Sequence, residues 1–367
     1  MPERIRYAVV GLGYIAQSAV LPAFENVRES CELAALVSDS PRKLAALGKR
    51  YQVGRRASYD GFDALLAEGG IDAVYIALPN SLHREYTERA AAAGVHVLCE
   101  KPMAVTQDDC EAMVEATDRA GVKLMIAYRL HFDQANLRAA TIARGKTLGD
   151  VRLVTSTFAM QVKRGDIRLK QAMGGGPMYD IGIYCINCAR MVYQAEPVEV
   201  MALSANIGEP RFSEVDEMFG AVLRYPDERL AVFAISFGAA DISRYQIVGT
   251  RGQLTLDPAY EIRDRAVLQI KAGNRSQRRT YAQRDQFAPE LSYFADCIRK
   301  NRNPEPSGAE GLADVRIIEA IHLAATTGRS VVLNVPGDQP PTLAQARQFP
   351  PVEWPALIDA AAPSSVS

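Results

Sequence analysis

The sequence has little of what marks secreted, membrane-spanning or nucleic-acid-binding proteins. Its 367 residues include only six cysteines, too few for a disulfide framework, which indicates a reducing, cytoplasmic environment. No apolar run approaches the roughly 20 residues that span a bilayer. Met1–Arg6 leads directly into an apolar strand pattern, so no secretory leader is predicted. Lysine and arginine (42) balance aspartate and glutamate (43), which argues against binding nucleic acid or anionic membranes through a basic field.

What is present indicates two globular domains, at a prior of about 100–200 residues per domain. Up to residue 128, short apolar runs alternate with helical patterns such as Arg42–Tyr51, Ser81–Ala93 and Thr106–Ala120. The predicted strands are Ile5–Val10, Glu32–Val37, Ala73–Leu78, Val95–Cys99 and Lys123–Tyr128. This alternation predicts an α/β domain over residues 1–128, with a parallel sheet covered on both faces.

The pattern changes after residue 150, where strands follow one another with few helices between them. They are predicted at Val151–Val162, Val198–Asn206, Met218–Tyr225, Leu230–Phe237, Tyr245–Val248 and Val267–Ile270. We expect a second, α+β domain over residues 129–335, built on an open, mostly antiparallel sheet and closed by helices Pro289–Lys300 and Gly308–Thr327. Residues 336–367 form a tail with seven prolines. This tail is either ordered against a partner subunit or frayed.

A glycine-rich turn, Gly11-Leu12-Gly13-Tyr14-Ile15-Ala16, follows the first strand and opens a helix. In this context Gly11 permits the tight turn and Gly13 lets the backbone approach a pyrophosphate, while the helix N-terminus faces the anion. After the second strand stand Ser38 and Lys43, which suit a ribose 2′-phosphate, and Asp39, which suits a free 2′-hydroxyl. The motif predicts a dinucleotide site of a Rossmann domain, and these side chains leave both nicotinamide cofactors open.

Further candidates lie where later strands end, at the edge where such sheets bind ligands. Asn80, after Pro79, either contacts the ribose or nicotinamide or serves as a helix N-cap, and His83 fits a structural role. Glu100-Lys101-Pro102 is either a surface turn or a device that sets an ammonium against a substrate oxygen, with Glu100 orienting the lysine and Pro102 restricting it through a cis bond. Arg129 and His131, after the last strand, either contact nicotinamide or substrate or are packed.

The segment Gly174–Tyr184 resembles a loop that feeds a helix beginning near Pro177. Asp180 and Tyr184, four residues apart, are expected on one helix face, where they orient a sugar and shuttle a proton. The alternative is a carboxylate that complements the helix dipole beside a packed tyrosine. Arg168 is expected to border the sugar.

Two other groups are interpreted as structural. Cys185 and Cys188 have metal or redox spacing, yet no second pair accompanies them, so they are predicted to be packed thiols, and no metal site is predicted. The basic stretch from Lys271 to Arg284 has no aromatic interleaving and is interpreted as a solvated hairpin.

Taken together, these motifs resemble the glucose–fructose oxidoreductase / inositol dehydrogenase (Gfo/Idh/MocA) family of nicotinamide-dependent sugar oxidoreductases, from the first strand to about Val332. They are Gly11–Ala16, Pro79–His83, Glu100–Pro102, Tyr128–His131, Gly174–Tyr184, Gly249–Gly252 and the helix Gly308–Gly328. The resemblance implies a Rossmann domain and an open-sheet domain that forms a homodimer or homotetramer. It also implies that Lys101 is the catalytic lysine, that Asp180 holds the substrate and that Tyr184 is the acid/base.

Tyrosine at 184, where most members have histidine, resembles the glucose–fructose and aldose–aldose oxidoreductase branch. This implies aldose substrates and tightly held NADP(H), which Ser38 and Lys43 match and from which Asp39 departs. The predicted cofactor-binding residues are Gly11, Gly13, Tyr14, Ile15, Ser38, Lys43, Pro79, Asn80, His83, Glu100, Lys101 and Arg129. The predicted substrate-binding residues are Lys101, Arg129, Arg168, Asp180 and Tyr184.

The sequence therefore predicts an NADP(H)-dependent oxidoreductase that oxidises aldoses at C1 and reduces a second sugar with the same bound cofactor. A conventional dehydrogenase or reductase that releases its cofactor, of the xylose dehydrogenase or anhydrofructose reductase type, is one alternative. A nicotinamide-sensing regulator on the same scaffold is another, although such a protein needs neither Lys101 nor Tyr184.

Overall fold

The computed structural model describes residues 4–333 and 347–364, which form two compact units. The first unit contains the described residues up to Phe132, Arg284–Gly311 and the described part of Gln345–Ala362. The second contains Asp133–Gln283, the described part of Leu312–Ala344 and the described start of Pro363–Ser367. Of the predicted proline-rich tail, residues 336–346 and 365–367 lie outside the described residues.

The first unit is built on a parallel sheet. Its strands are β1 (Ile5–Val10), β2 (Cys31–Val37), β3 (Arg55–Ala57), β4 (Ala73–Ile76), β5 (His96–Glu100) and β6 (Leu124–Ala127). Within the described residues they form six parallel strands in the order β3-β2-β1-β4-β5-β6, the Rossmann order. The strand order reverses between β1 and β4, and the carboxyl ends of these two strands are where such sheets bind ligands. The predicted fold class of this part of the chain is confirmed.

Helices connect the strands, and local capping explains where they begin and end. The α-helices of the described residues are α1 (Leu21–Ala23), α2 (Pro41–Tyr51), α3 (Phe62–Ala67), α4 (His83–Ala92), α5 (Gln107–Ala120), α6 (Gln134–Arg144), α7 (Ile183–Tyr193), α8 (Phe287–Arg299) and α9 (Gly308–Thr327). The Thr106 hydroxyl caps α5 by accepting the Asp109 N–H, and Gly121 ends it with a φ of 67°. Across residues 4–333 and 347–364, we find no helix with the length and apolar character needed to span a membrane.

The second unit is built on a mostly antiparallel sheet. Its strands are β7 (Val151–Ala159), β8 (Glu199–Ala205), β9 (Met218–Tyr225), β10 (Arg229–Ser236), β11 (Ile242–Gly249), β12 (Gly252–Asp257), β13 (Ala266–Ala272), β14 (Arg275–Tyr281) and β15 (Val331–Val332). In the described part of the chain they form nine strands in the order β14-β13-β12-β11-β7-β10-β9-β8-β15, and the β7–β10 pair is parallel. The predicted open sheet is confirmed, and the basic stretch forms the β13–β14 hairpin, whose second strand is exposed at every position from Arg275 to Thr280.

One face of this sheet presents apolar side chains to solvent near the β15 edge. Leu203 is 72% exposed, Val332 68% and Met201 56%. Val222 lies between Met201 and Val232 across the three strands β8, β9 and β10. Contiguous apolar surface of this kind is typical of a protein interface.

A buried ion network fixes α7 within the second unit. The Arg190 guanidinium is fully buried, donates to both Glu196 carboxylate oxygens at 2.7 and 2.6 Å, and donates to Asp314 at 2.8 Å. Paired and hydrogen-bonded in this way, the charges satisfy one another away from water. The network holds the helix whose first turn carries Tyr184.

Candidate active site

The glycine-rich turn after β1 has the geometry that a dinucleotide needs. Gly11 has a φ of +93°, and a Cβ there would lie 2.5 Å from the Ala77 carbonyl oxygen, so only glycine fits. A Cβ at Gly13 would meet nothing within 4 Å. The backbone is therefore tightly folded at Gly11 and open at Gly13, and this cradle fits the close approach of a pyrophosphate. Tyr14 and Ile15 continue the turn, both half-buried.

The turn after β2, where the ribose phosphate is expected, is organised by three polar side chains. Ser38 is buried, and its hydroxyl accepts the Ser40 N–H at 3.2 Å. Ser40 caps α2 by accepting the Lys43 N–H. One Asp39 carboxylate oxygen accepts the Tyr59 N–H at 2.8 Å, an interaction with the protein's own backbone. This contact gives the Asp39 carboxylate a partner within the protein.

The turn after β4 is tied to the segment that carries Lys101. Asn80 begins a short 3₁₀ turn, Asn80–Leu82, and the N-cap position of α4 is Leu82, so the interpretation of Asn80 as the cap of that helix is wrong. His83 is fully buried between the Leu78 carbonyl oxygen at 3.0 Å and the Pro102 carbonyl oxygen at 2.9 Å. Burial lowers its pKa, which favours a neutral ring that lies between the two turns and donates to one of these carbonyls.

Glu100 ends β5, Lys101 and Pro102 follow it, and two hydrogen bonds hold the Glu100 carboxylate. The Tyr75 hydroxyl donates to one Glu100 carboxylate oxygen at 2.8 Å, and the Lys101 backbone N–H donates to the other at 3.2 Å. Burial raises the pKa of Glu100, while Lys101 and Tyr75 oppose the shift. The Lys101–Pro102 bond is cis, as predicted, and Lys101 is half-buried. Glu100 thus fixes the backbone from which the lysine side chain extends.

Arg129 and His131 lie in the short 3₁₀ turn that follows β6, and both are buried. The Arg129 guanidinium donates to the Gln286 side-chain oxygen next to the start of α8. His131 Nε2 lies 3.1 Å from a Glu310 carboxylate oxygen, and both side chains are almost fully buried. The predicted alternatives were contact with ligand or packing, and in this structure both side chains are packed against late segments of the chain.

Glu290, on α8, is a buried carboxyl group that the sequence did not single out. Neither of its oxygens has a hydrogen-bond partner among the described residues, and the side chain is fully buried. Burial raises the pKa of Glu290 well above its ordinary value, the nearby Glu100 raises it further, and Arg129 opposes the shift. The direction of the shift favours the protonated form of the Glu290 carboxyl group.

We expect Glu290→Gln to flatten the pH dependence of stability. The folded state keeps the Glu290 proton above pH of about 4.3, where an unfolded chain releases it, so the free energy of unfolding falls as pH rises towards the folded pKa. The loss approaches about 1.4 kcal/mol per pH unit for one group. Because glutamine does not titrate, the difference in Tm between the Glu290→Gln variant and the original chain should increase with pH. Thermal melts between pH 5 and 8 measure this, with the exposed Glu115→Gln as control. Parallel curves for all three proteins would contradict the assignment.

In the second unit, Asp180 is held by an arginine from the preceding loop. Arg168 Nε donates to an Asp180 carboxylate oxygen at 2.8 Å, and Asp166 accepts the Arg168 backbone N–H at 2.9 Å. Burial alone would lower the pKa of Arg168, but the Asp180 and Asp166 carboxylates raise it. Two of the predicted substrate residues are thus in direct contact. Asp180 lies in a π-helical turn, Met178–Gly182, ahead of α7, in place of the regular helix assumed in placing it on one face with Tyr184.

The triple glycine explains how the arginine reaches this position. A Cβ on Gly175 would lie 2.5 Å from the Arg168 carbonyl oxygen, and the Gly176 N–H donates to that same oxygen at 2.8 Å. Two passes of backbone therefore lie against each other, which requires glycine. The loop positions the guanidinium beside the turn that carries Asp180.

Tyr184 stands on α7 within an aromatic cluster of the second unit. Its ring centroid lies 5.7 Å from that of Phe158 and 5.8 Å from that of Tyr260. Such edge-to-face and tilted contacts fix a ring without using its hydroxyl. The Tyr184 ring is therefore held by packing against two aromatic neighbours.

The cysteines of the same helix are packed thiols, as predicted. Burial raises the pKa of both Cys185 and Cys188 to about 12, and Ser156 donates to the Cys185 sulfur at 3.3 Å. Within residues 4–333 and 347–364, no disulfide and no group of three metal-ligating side chains occurs.

The sequence does not single out Tyr75, Gln286 and Asp166, which hydrogen-bond to predicted site residues, or Glu290, which interacts electrostatically with Glu100 and Arg129. Glu290 left one signal, since it is a lone acidic residue on an apolar face of α8. For the other three, the partners are distant in sequence or the spacing carries no motif.

Family comparisons match most of the chain. The model described as "Oxidoreductase family, NAD-binding Rossmann fold" (GFO_IDH_MocA) matches residues 5–128. The model described as the GFO/IDH/MocA C-terminal domain matches residues 136–255.

Individual relatives are similar over nearly their full length. A D-xylose 1-dehydrogenase [NADP(+)] of Haloarcula marismortui is 32% identical over 90% of this chain and 93% of its own. The crystal structure of an aldose–aldose oxidoreductase from Caulobacter crescentus, complexed with glycerol, is 40% identical, with a TM-score of 0.86 over 90% of this chain and all of the other. A 3-ketoreductase from Actinomadura kijaniata, crystallised with NADP and TDP-benzene, is 26% identical, with a TM-score of 0.80 over 88% of this chain and 98% of its own.

Proposed function

The chain belongs to the Gfo/Idh/MocA oxidoreductase family and is an NADP-dependent oxidoreductase of sugars, and on that premise we propose that it recycles its cofactor between two sugars. In this proposal it oxidises an aldose at C1 to a lactone, which hydrolyses to the aldonic acid. It then reduces a second sugar to an alditol before NADP(H) leaves. The observation that carries the proposal is the 40% identity to an aldose–aldose oxidoreductase along 90% of the chain.

In the oxidative half of the proposed reaction, three side chains act on the sugar. The Tyr184 oxygen takes the proton of the anomeric hydroxyl, and the Lys101 ammonium stabilises the negative charge that develops on that oxygen. Asp180, paired with Arg168 Nε at 2.8 Å, accepts a hydrogen bond from a sugar hydroxyl and orients the ring. NADP+, with its pyrophosphate at the Gly11–Ala16 cradle, would supply the hydride acceptor.

In the reductive half the same side chains work in reverse. Tyr184 returns its proton to the carbonyl oxygen of the second sugar, and Lys101 polarises that carbonyl before the proton arrives. The protein needs no second set of catalytic groups, because each step of one half is the reverse of a step in the other.

A conventional aldose dehydrogenase that releases NADPH is the second candidate. The similarity to a D-xylose 1-dehydrogenase over 90% of the chain favours it. The residues and the first half-reaction would be the same, and the two candidates differ in whether reduced cofactor leaves between sugars.

Nicotinamide fluorescence of the purified protein tests the proposal. With glucose added and no cofactor supplied, we expect a rise in emission that is reversed when a second carbonyl sugar follows. The Lys101→Met protein, loaded with the same cofactor, should show neither change. If emission rises only when NADP+ is supplied, and sugar-against-sugar kinetics are not ping-pong, the conventional dehydrogenase replaces the recycling enzyme.

The proposal extends to assembly and location. A homodimer or homotetramer joined through the apolar sheet face around Leu203 would bury that face, and sedimentation equilibrium would measure the mass of the assembly. Six cysteines without disulfides fit a reducing cytoplasm, which fractionation of cells would test.

A further inference from the structure

Residues 347–362 of the C-terminal tail belong to the first unit of their own chain. Residues 347–359, the C-terminal strap, begin beside the end of the Rossmann sheet, where the Gln348 side chain donates to the Phe132 carbonyl oxygen. The Asn26 side chain donates to the Pro350 carbonyl oxygen at 2.9 Å. The strap then continues to the dinucleotide turn. The sequence leaves order against a partner subunit and fraying open for the tail, and in the structure residues 347–359 pack against their own chain.

The strap is joined to the glycine-rich motif by a paired amide contact. Gln17 lies in the helical turn after the motif and is fully buried. Its side-chain oxygen accepts the Ile358 N–H at 2.8 Å, and its side-chain nitrogen donates to the Ile358 carbonyl oxygen at 2.9 Å. The same nitrogen donates to the Leu12 carbonyl oxygen within the motif at 2.9 Å. One buried glutamine therefore links the strap to the turn that cradles a pyrophosphate.

An aromatic contact lies directly on the motif. Trp354, the only tryptophan in the sequence, has its ring centroid 6.5 Å from that of Tyr14. Tyr14 directly follows Gly13, the residue whose backbone is open to a ligand.

The strap also contacts the element on the far side of the predicted cofactor site. The Arg42 guanidinium, next to Lys43, donates to the Asp359 carboxylate at 2.8 Å. Arg50, in the last turn of the same helix, donates to the Ala356 carbonyl oxygen at 2.9 Å. The strap therefore crosses from the glycine-rich turn to α2, the two segments that flank a bound dinucleotide.

We propose that the C-terminal strap is a cofactor-retention device, which must detach from Gln17 and α2 before NADP(H) can leave. Retention by such a segment is kinetic, because the strap slows dissociation without touching the reacting atoms. The two family models match residues 5–128 and 136–255, so the strap lies in a part of the chain that neither model matches. The inference rests on the proposed function only for the presence of NADP(H) in the Rossmann site.

The test is the dissociation rate of NADPH from the full chain and from two variants. One variant ends after residue 346, and the other is Ile358→Pro, which removes the N–H that Gln17 accepts. Each protein is loaded with NADPH and mixed with excess NADP+, and nicotinamide emission is followed in time. We expect NADPH release at least about tenfold faster from both variants than from the full chain. Sugar turnover plays no part in this measurement. In the full chain, loss of energy transfer from Trp354 should follow the same time course.

The matched control is Ala361→Pro, which places the same residue in the same tail at an exposed position beyond the strap. It should release NADPH at the original rate, and thermal melts of all four proteins show that each is folded. Equal release rates from the full chain and Ile358→Pro would overturn the retention device. Because the measurement needs no sugar, it can succeed when the recycling proposal fails, and it can fail when recycling is observed.

Discussion

Lys101→Met is expected to lower kcat for aldose oxidation by about 10³-fold or more while NADP(H) remains bound. Methionine has nearly the length of lysine but carries no charge, so the developing negative charge on the sugar oxygen loses its stabilising ammonium. The dinucleotide cradle at Gly11 and Gly13 is made of backbone and does not depend on this side chain. Single-turnover reduction of bound cofactor by glucose measures the loss at the chemical step.

Lys123→Met is the matched control for this substitution. Lys123 directly precedes β6, at the amino edge of the same sheet, and its ammonium donates to Asn303 at 3.0 Å on the surface. The control removes an equal charge from the same unit and should keep the original kcat. If Lys101→Met also turned over glucose at a near-normal rate, Lys101 would not be the group that stabilises the transition state.

Tyr184→Phe is expected to lower kcat in both half-reactions by about 10²–10⁴-fold, the usual contribution of a positioned acid/base. The substitution removes only the hydroxyl, and the ring keeps its contacts with Phe158 and Tyr260, so the fold and cofactor binding should persist. Because the proposed proton transfers of oxidation and reduction use the same oxygen, both halves should lose rate together. Separate rates with an aldose and with a second carbonyl sugar measure this.

Tyr193→Phe gives the contrast on the same helix. The Tyr193 hydroxyl donates to the Leu230 carbonyl oxygen at 2.6 Å, so its removal should cost about 1 kcal/mol of stability and leave kcat unchanged. A Tyr184→Phe enzyme that slowed only one half-reaction would show that the two halves use different acid/base groups.

Much of the fold could be predicted because its strands carry strong local patterns. The strand at Ile5–Val10 has the predicted bounds, since a strand buried in a parallel sheet is nearly continuous in apolar residues. In contrast, β3 at Arg55–Ala57 was missed, because it is three residues long and two of them are arginine. β14 was predicted only as part of a solvated hairpin, because its sequence is polar and the strand forms by pairing with β13.

For the candidate site, contiguous motifs were predictable and distant partners were not. The positive φ at position 11 requires glycine, and such a requirement is visible in the sequence as a glycine at a fixed place in the motif. Glu100 accepts a hydrogen bond from Tyr75 and interacts electrostatically with Glu290, which is 190 positions later. No local sequence pattern indicates such distant interactions. Asp39 stands at the motif position where an acidic residue suits a free 2′-hydroxyl. The sequence could not show that its carboxylate accepts the Tyr59 backbone N–H.

The return of late segments to the first unit has a consequence for biosynthesis. A ribosome adds about 5–20 residues per second and delivers the chain from its N-terminus, so β1 to β6 emerge long before Phe287–Arg299 and the strap. The contacts of the Rossmann sheet with Phe287–Arg299 and with Ile358 can form only after those later residues have been synthesised. A chain that stalled before Ile358 would hold NADP(H) without the strap, and we expect it to exchange cofactor faster than the finished chain.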